Sequence, residues 1–181
     1  MNIWRIFSSK ERVETLEYIL EREVVGVEDV TSSLNRSKGF VSQFLRLLEE
    51  EGILKREKRK YVILHESPEV RAIKLMLNMI KLRSSLVKHR KEWMKSLGVY
   101  GSYSKGTNRE NSDVDIWIRV EKYPEEKEVA RVERELSDEL GKHVHFLILT
   151  PERIERLREK DPVFYCELAN SFVMWGDGIG F

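Results

Sequence analysis

The chain has a single cysteine, Cys166. An intramolecular disulfide framework and a cysteine-based zinc site are therefore excluded, and Cys166 reads as a small buried apolar residue. Glutamine is almost absent, with Gln43 alone among 181 residues, a scarcity that fits a thermophile-like composition. No apolar run approaches the length needed to span a bilayer. The opening MNIWRIFSSKERVE lacks the apolar core of a signal peptide, so a cytoplasmic protein with no membrane association is expected. Net charge is also small, +1, although 35% of the residues are charged and 41% are hydrophobic. That is the profile of a globular chain with a heavily charged surface, long enough for one large domain or two small ones. The charge is unevenly divided. Residues 1–98 carry 20 Lys and Arg against 14 Asp and Glu, and residues 99–181 carry 12 against 17. A basic first half suits a polyanion and an acidic second half suits a metal ion.

In the first half, Val13, Leu16, Ile19 and Leu20 have the spacing of one helix face over residues 8–22, with Ser9 as N-cap. Residues 27–34 predict a short second helix, broken at Asn35-Arg36. Ser37 would cap a third over residues 38–51, with Phe40, Val41, Phe44, Leu45 and Leu48 at helical spacing and Gly52 at its end. Two short strands follow, at 53–54 and 61–64, flanking the basic tip KREKRK of residues 55–60. Three helices and a β-hairpin predict a winged helix-turn-helix over residues 1–66. The segment SKGFVSQFLRLLEEEGILKRE resembles the recognition helix and wing of bacterial and archaeal transcriptional regulators. That resemblance implies double-stranded DNA as a partner. Ser37, Lys38, Ser42, Gln43 and Arg46 would face a major groove, and Arg56, Lys58, Arg59 and Lys60 would grip phosphate. Winged helices also bind proteins or dimerise, so a protein-binding module stays open.

Residues 67–97 predict a long linker helix that starts at Pro68 and meets no Pro or Gly before Gly98. Ile73, Leu77, Ile80, Ser84 and Val87 step by four and three, a heptad-like seam. Leu75, Met79, Leu82, Leu86 and Trp93 form a second stripe, so one stripe would pack within the chain and the other on a partner chain, as in a homodimer, unless both face one intramolecular core.

Residues 98–181 predict an α/β arrangement around a small mixed sheet, making the whole chain α+β. Its opening stretch is GSYSKGTNRENSDVDIWI, residues 101–118. Gly101-Ser102 follows an apolar run, and Asp113 and Asp115 sit on the next one. Alternating residues of a strand share a face, which places these two carboxylates about 7 Å apart along the chain. Such a pair holds a hard divalent cation. A glycine-serine turn beside it offers N–H groups and a hydroxyl to a phosphate. The stretch resembles the signature of the minimal nucleotidyltransferases of the DNA polymerase β-like superfamily. Gly-Ser is followed after ten residues by Asp-x-Asp, with Ser104-Lys105-Gly106 within the spacer and Ser112 before the first Asp. The resemblance covers roughly residues 98–178. It implies NMP transfer from an NTP to an acceptor hydroxyl with Mg²⁺ or Mn²⁺ on Asp113 and Asp115. Gly101, Ser102, Lys105 and Ser112 would contact the nucleotide, and Arg109 is a further triphosphate candidate.

The same family places a third carboxylate on the strand after the next helix. That strand reads HVHFLIL, with His145 at the position and His143 on the same face. His145 then has three readings: a general base, since neutral imidazole accepts a proton; the mark of a protein that binds nucleotide without turnover; or a structural histidine. The His-x-His pair could also form a transition-metal site with Asp113 and Asp115, although such sites usually show more ligands at close spacing. The alternative to an enzyme is a nucleotide-sensing regulator or an antitoxin-like protein-binding partner.

Overall fold

The computed structural model describes residues 1–180 and divides the chain into two compact units, Met1–Leu77 and Asn78–Phe181. The first unit begins with α1 (Ile3–Ile6) and α2 (Lys10–Leu20). Ser9 caps α2, its hydroxyl accepting from the Arg12 amide at 3.3 Å. A two-residue strand, β1 (Val24–Val25), precedes α3 (Val27–Leu34), which ends where Asn35 turns left-handed at φ 49°. Ser37 caps α4 (Lys38–Glu50), accepting from the Phe40 amide, and Gly52 leaves the helix at φ 77°, a conformation that favours glycine. β2 (Leu54–Glu57) and β3 (Lys60–Ile63) then form a hairpin, and β1 pairs with β3, giving an antiparallel sheet in the order β1-β3-β2. Leu16, Ile19, Val30, Leu45 and Leu48 are wholly buried between the helices. At about 1.5–3 kcal/mol for each buried aliphatic side chain, this cluster is the main stabilising contribution of the unit.

Three sequence expectations change. Cys166, expected to be buried, is exposed, because the helix of residues 162–169 turns Leu168 inward instead. The basic tip of residues 55–60 is mostly strand, because Lys55↔Val62, Arg56↔Tyr61 and Glu57↔Lys60 pair across the hairpin. Only Lys58 and Arg59 remain at the turn, with Lys58 at φ 58°. The helix from Pro68 is also shorter than its composition predicts. α5 is Pro68–Lys88, and residues 96–97 already lie in β4 (Ser96–Tyr100), with Gly98 inside that strand and not at a helix end. No breaker residue marks the change. β4 is hydrogen-bonded on both sides within its sheet, and Leu97 and Val99 are buried there, so tertiary pairing overrides a locally permissive helix pattern. Of the two stripes on α5, Ile73, Leu77, Met79, Leu82 and Leu86 are buried, whereas Ile80 and Val87 are 65% and 60% exposed.

The second unit carries a four-stranded mixed sheet in the order β6-β5-β4-β7. After β4 come α6 (Gly101–Lys105), β5 (Val114–Arg119), α7 (Glu126–Leu140), β6 (Val144–Leu149), α8 (Pro151–Lys160), α9 (Pro162–Ala169) and β7 (Phe172–Trp175). β4 is antiparallel to β5 and β7, and β5 is parallel to β6. β5 lies inside the sheet, and its Val114, Ile116, Trp117 and Ile118 are fully buried. β6 is an edge strand, and α7 covers its free amides. Ser137 Oγ accepts from the Val144 amide at 3.1 Å and Glu133 accepts from the Phe146 amide at 2.7 Å. These bonds blunt an edge that would otherwise be open to another strand. No helix among the described residues is long and apolar enough to cross a membrane.

Candidate active site

The site is assembled where β4 ends and β5 begins. Tyr100, the last residue of β4, is paired with Asp115 of β5. The chain then turns sharply, because Gly101 takes φ 67° as it enters α6. The Asp115 carboxylate lies directly against this turn, and a Cβ at position 101 would overlap its Oδ2. Only glycine supplies both the left-handed backbone and the empty space. α6 is a single turn, closed by Gly106 at φ 65°, whose amide donates to the Ser102 carbonyl.

The loop from α6 to β5 is pinned from within. Asn108 is buried, and its side-chain carbonyl accepts from Asn78 Nδ2 at 2.8 Å, while the same Asn78 amide donates to the Tyr103 carbonyl at 3.0 Å. Ser112 accepts from the Arg109 amide at 2.8 Å, which shapes the turn just before Asp113. Arg109 is itself turned onto the loop, donating to the Thr107 and Asn108 carbonyls. Lys105 is exposed and paired with Glu167 of α9 at 2.6 Å.

Asp113 stands one residue before β5 and is exposed. Parallel pairing of β5 with β6 sets Asp115 opposite His145 and Val114 opposite Val144. His143 and His145 therefore flank the acidic pair. His145 Nε2 is 3.6 Å from Asp113 Oδ2, and the two imidazole rings have centroids 4.3 Å apart. One ligand atom each from Asp113, His143 and His145 lie within 4.8 Å of one another. The sequence places His143 beside His145 on one face, but only the parallel register brings Asp113 to both.

Electrostatics here are dominated by confinement of negative charge. Burial pushes the Asp115 carboxyl above its usual range; His145 opposes this, while Asp113 and Glu167 add to it. The Tyr100 hydroxyl is pushed up to about 12 by burial and by the Asp115 and Glu167 carboxylates. Glu167 is thus a further acidic group at the site, and sequence reasoning misses it. It comes from α9, some fifty residues beyond the motif, and no local pattern marks it.

The residues expected to contact DNA all lie in the first unit. Gln43 and Arg46 are exposed on α4, and Lys58 and Arg59 at the hairpin turn and Lys60 at the start of β3 are exposed as well. Ser37 spends its hydroxyl on the helix cap, Lys38 is paired with Glu28 at 3.2 Å, and Arg56 Nε donates to the Lys58 carbonyl at 3.3 Å.

The chain is similar to the protein adenylyltransferase MntA of Thermococcus cleftensis, 33% identical over 78 residues that make up 40% of this chain and 79% of that protein. Among solved structures it is similar to a toxin–antitoxin complex with AMP-PNP at TM-score 0.41 and 22% identity, covering 55% of this chain and 74% of that one. A tri-AMPylated Shewanella oneidensis HEPN toxin in complex with MNT antitoxin gives TM-score 0.38 and 18% identity, over 57% of this chain and 73% of that one. The family model of the nucleotidyltransferase domain matches residues 79–169, a span that holds the Gly101-Ser102 turn, both aspartates and the two histidines. By that match, and by the identity to its curated relative, this chain belongs to the nucleotidyltransferase domain family.

Proposed function

We propose that the second unit transfers a nucleoside monophosphate from an NTP to an acceptor hydroxyl, with release of pyrophosphate. The observation that carries this reading is the seating of the Asp115 carboxylate against the Gly101 turn, with Asp113 two residues away. Ser102 and the amides of the turn would hold the phosphates, and Lys105 would reach them on leaving Glu167. Asp113 and Asp115 would hold a divalent cation, and carboxylate oxygens are suitable donors for one. When bound, such an ion neutralises charge developing on the transferred phosphoryl group. Burial of Asp115 and the pinned loop pre-organise the donors, so they need little rearrangement as charge develops. The curated relative is a protein adenylyltransferase, which favours ATP as donor and a protein hydroxyl as acceptor.

His145 lies against Asp113 and not apart from the acidic pair. We therefore give it a role at the metal end of the site and not as a free base. His145→Ala should lower turnover more than tenfold, within the roughly 10–100-fold range for loss of a partner at a metal site, while ATP affinity changes little. Single-turnover kinetics and isothermal titration separate the two, and unchanged turnover removes His145 from the mechanism. The central test is incubation with a divalent ion and α-labelled NTPs, alone and with extract. Absence of labelled acceptor and of pyrophosphate under every condition sinks the enzyme reading in favour of a nucleotide sensor.

The first unit is proposed to be a winged helix that binds double-stranded DNA, with Gln43 and Arg46 toward the bases and Lys58, Arg59 and Lys60 toward phosphates. In favour is their exposure on α4 and on the hairpin turn. Ser37, Lys38 and Arg56 have local partners and would contribute less. Replacing Lys58, Arg59 and Lys60 together by Ala should reduce the slope of log affinity against log salt by about 2–3, roughly one unit for each phosphate no longer neutralised. A gel-shift salt titration measures it, and an unchanged slope excludes the wing from the DNA interface. Exposed Ile80 and Val87 on α5 are the residues that would form a homodimer seam.

A further inference from the structure

Two carboxylates alone suit Mg²⁺, a hard ion that takes oxygen ligands and keeps much of its water. The donor set here is different. His143 and His145 supply two imidazoles beside Asp113, with one ligand atom from each of the three within 4.8 Å of the others. Imidazole nitrogen is a poor donor to Mg²⁺ and a good one to Zn²⁺ and its neighbours in the first transition row. Two histidines and a carboxylate are a common protein ligand set of zinc centres that keep a position open for water or substrate. Donors about 2.0–2.2 Å from a tetrahedral zinc ion stand ~3.4 Å apart. His145 Nε2 and Asp113 Oδ2, at 3.6 Å, are already close to that separation. All three side chains are exposed. Asp113 lies one residue outside β5, and His143 one outside β6.

We propose that Asp113, His143 and His145 form a binding site for a Zn²⁺-class transition ion, held at the Asp113 side of the acidic pair in preference to Mg²⁺. The inference rests on the reading that this pair is the metal end of a nucleotidyl-transfer site, and it changes which ion serves there. Three protein ligands would leave a position on such an ion open to water or a phosphate oxygen. The ordinary rise in affinity along the row, with Zn²⁺ well above Mn²⁺, reinforces the choice made by the nitrogens.

The full-length protein, freed of metal by chelation, is titrated with Zn²⁺, with Mg²⁺, and with Co²⁺ as an optical reporter. One Zn²⁺ should bind per chain and stay bound under a roughly hundredfold excess of Mg²⁺, the kind of preference that nitrogen donors confer. Co²⁺ should give the intense visible absorption of a low-coordinate site with nitrogen donors. His143→Ala and Asp113→Asn should each weaken Zn²⁺ binding by about a hundredfold or more, the upper end of the loss seen when even an outer-shell partner is removed. Circular dichroism confirms that each variant is folded. Displacement of Zn²⁺ by Mg²⁺ at parity, or Zn²⁺ binding that survives in a His143→Ala/His145→Ala double variant, overturns the inference. The two readings fail separately. Mg²⁺-supported transfer without Zn²⁺ uptake leaves the enzyme and removes this ion, whereas Zn²⁺ uptake on these three residues without transfer by any ion leaves the site and removes the enzyme.

Discussion

Asp115→Asn should abolish nucleotidyl transfer, lowering it by about a thousandfold, the upper range for loss of one pre-organised electrostatic group. The same substitution should leave the protein as stable as before, or more so, at neutral pH. The two halves of this expectation come from one fact. The Asp115 carboxyl is held above its usual range chiefly because it is half-buried, with Asp113 and Glu167 adding repulsion. A carboxylate whose folded-state pKa is raised binds its proton more tightly when folded. Its ionised form therefore costs stability at pH values above that raised pKa, and the cost disappears as pH falls through it. Asparagine has the same shape and no charge, so it removes the cost while also removing the metal-binding oxygen pair. Thermal unfolding at pH 7 and a labelled-NTP assay on the same sample test both halves. Retained transfer would take Asp115 out of the site, and a large fall in melting temperature would mean that its charge is structural.

Gly98→Ala should destabilise the second unit by about 3 kcal/mol, the upper part of the range for overpacking a filled core. Gly98 sits in mid-strand on β4, opposite Trp117 on β5. A Cβ there would overlap the indole ring and come within 2.6 Å of its Nε1. The ring has no room to yield. Trp117 is fully buried, and its Nε1 donates to Ser171 Oγ at 2.6 Å. Position 98 is therefore glycine for space and not for backbone freedom. For a domain of about a hundred residues, each kcal/mol shifts the melting temperature by about 4–8 °C. Urea titration of the variant measures the loss directly. A change below about 0.5 kcal/mol, the scale of an uninvolved surface position, would show that the indole can move aside.

Much of the local architecture is legible in the chain because it depends on short-range chemistry. Ser9, Ser37 and Thr150 each cap the helix that follows, and Gly52 and Gly141 each end one in a left-handed turn. Apolar spacing marks α2, α3, α4 and α7 to within a few residues. The errors fall where partners are distant. β1 has only two residues and exists because β3 pairs with it. The end of α5 has no breaker, and the start of β4 is set by its neighbours in the sheet.

The same division runs through the candidate site. The sequence by itself determined the glycine-serine turn, the spacing to Asp113 and Asp115, and the histidine pair on the following strand, since these are matters of order along one chain. Tertiary structure alone decided that Tyr100 pairs with Asp115, that Asp113 meets both imidazoles, and that Glu167 arrives from α9 to add negative charge. Strand register is the physical reason. A shift of one residue between β5 and β6 would send the histidines to the opposite face of the sheet, and the buried residues that pin that register are scattered along the whole second half of the chain.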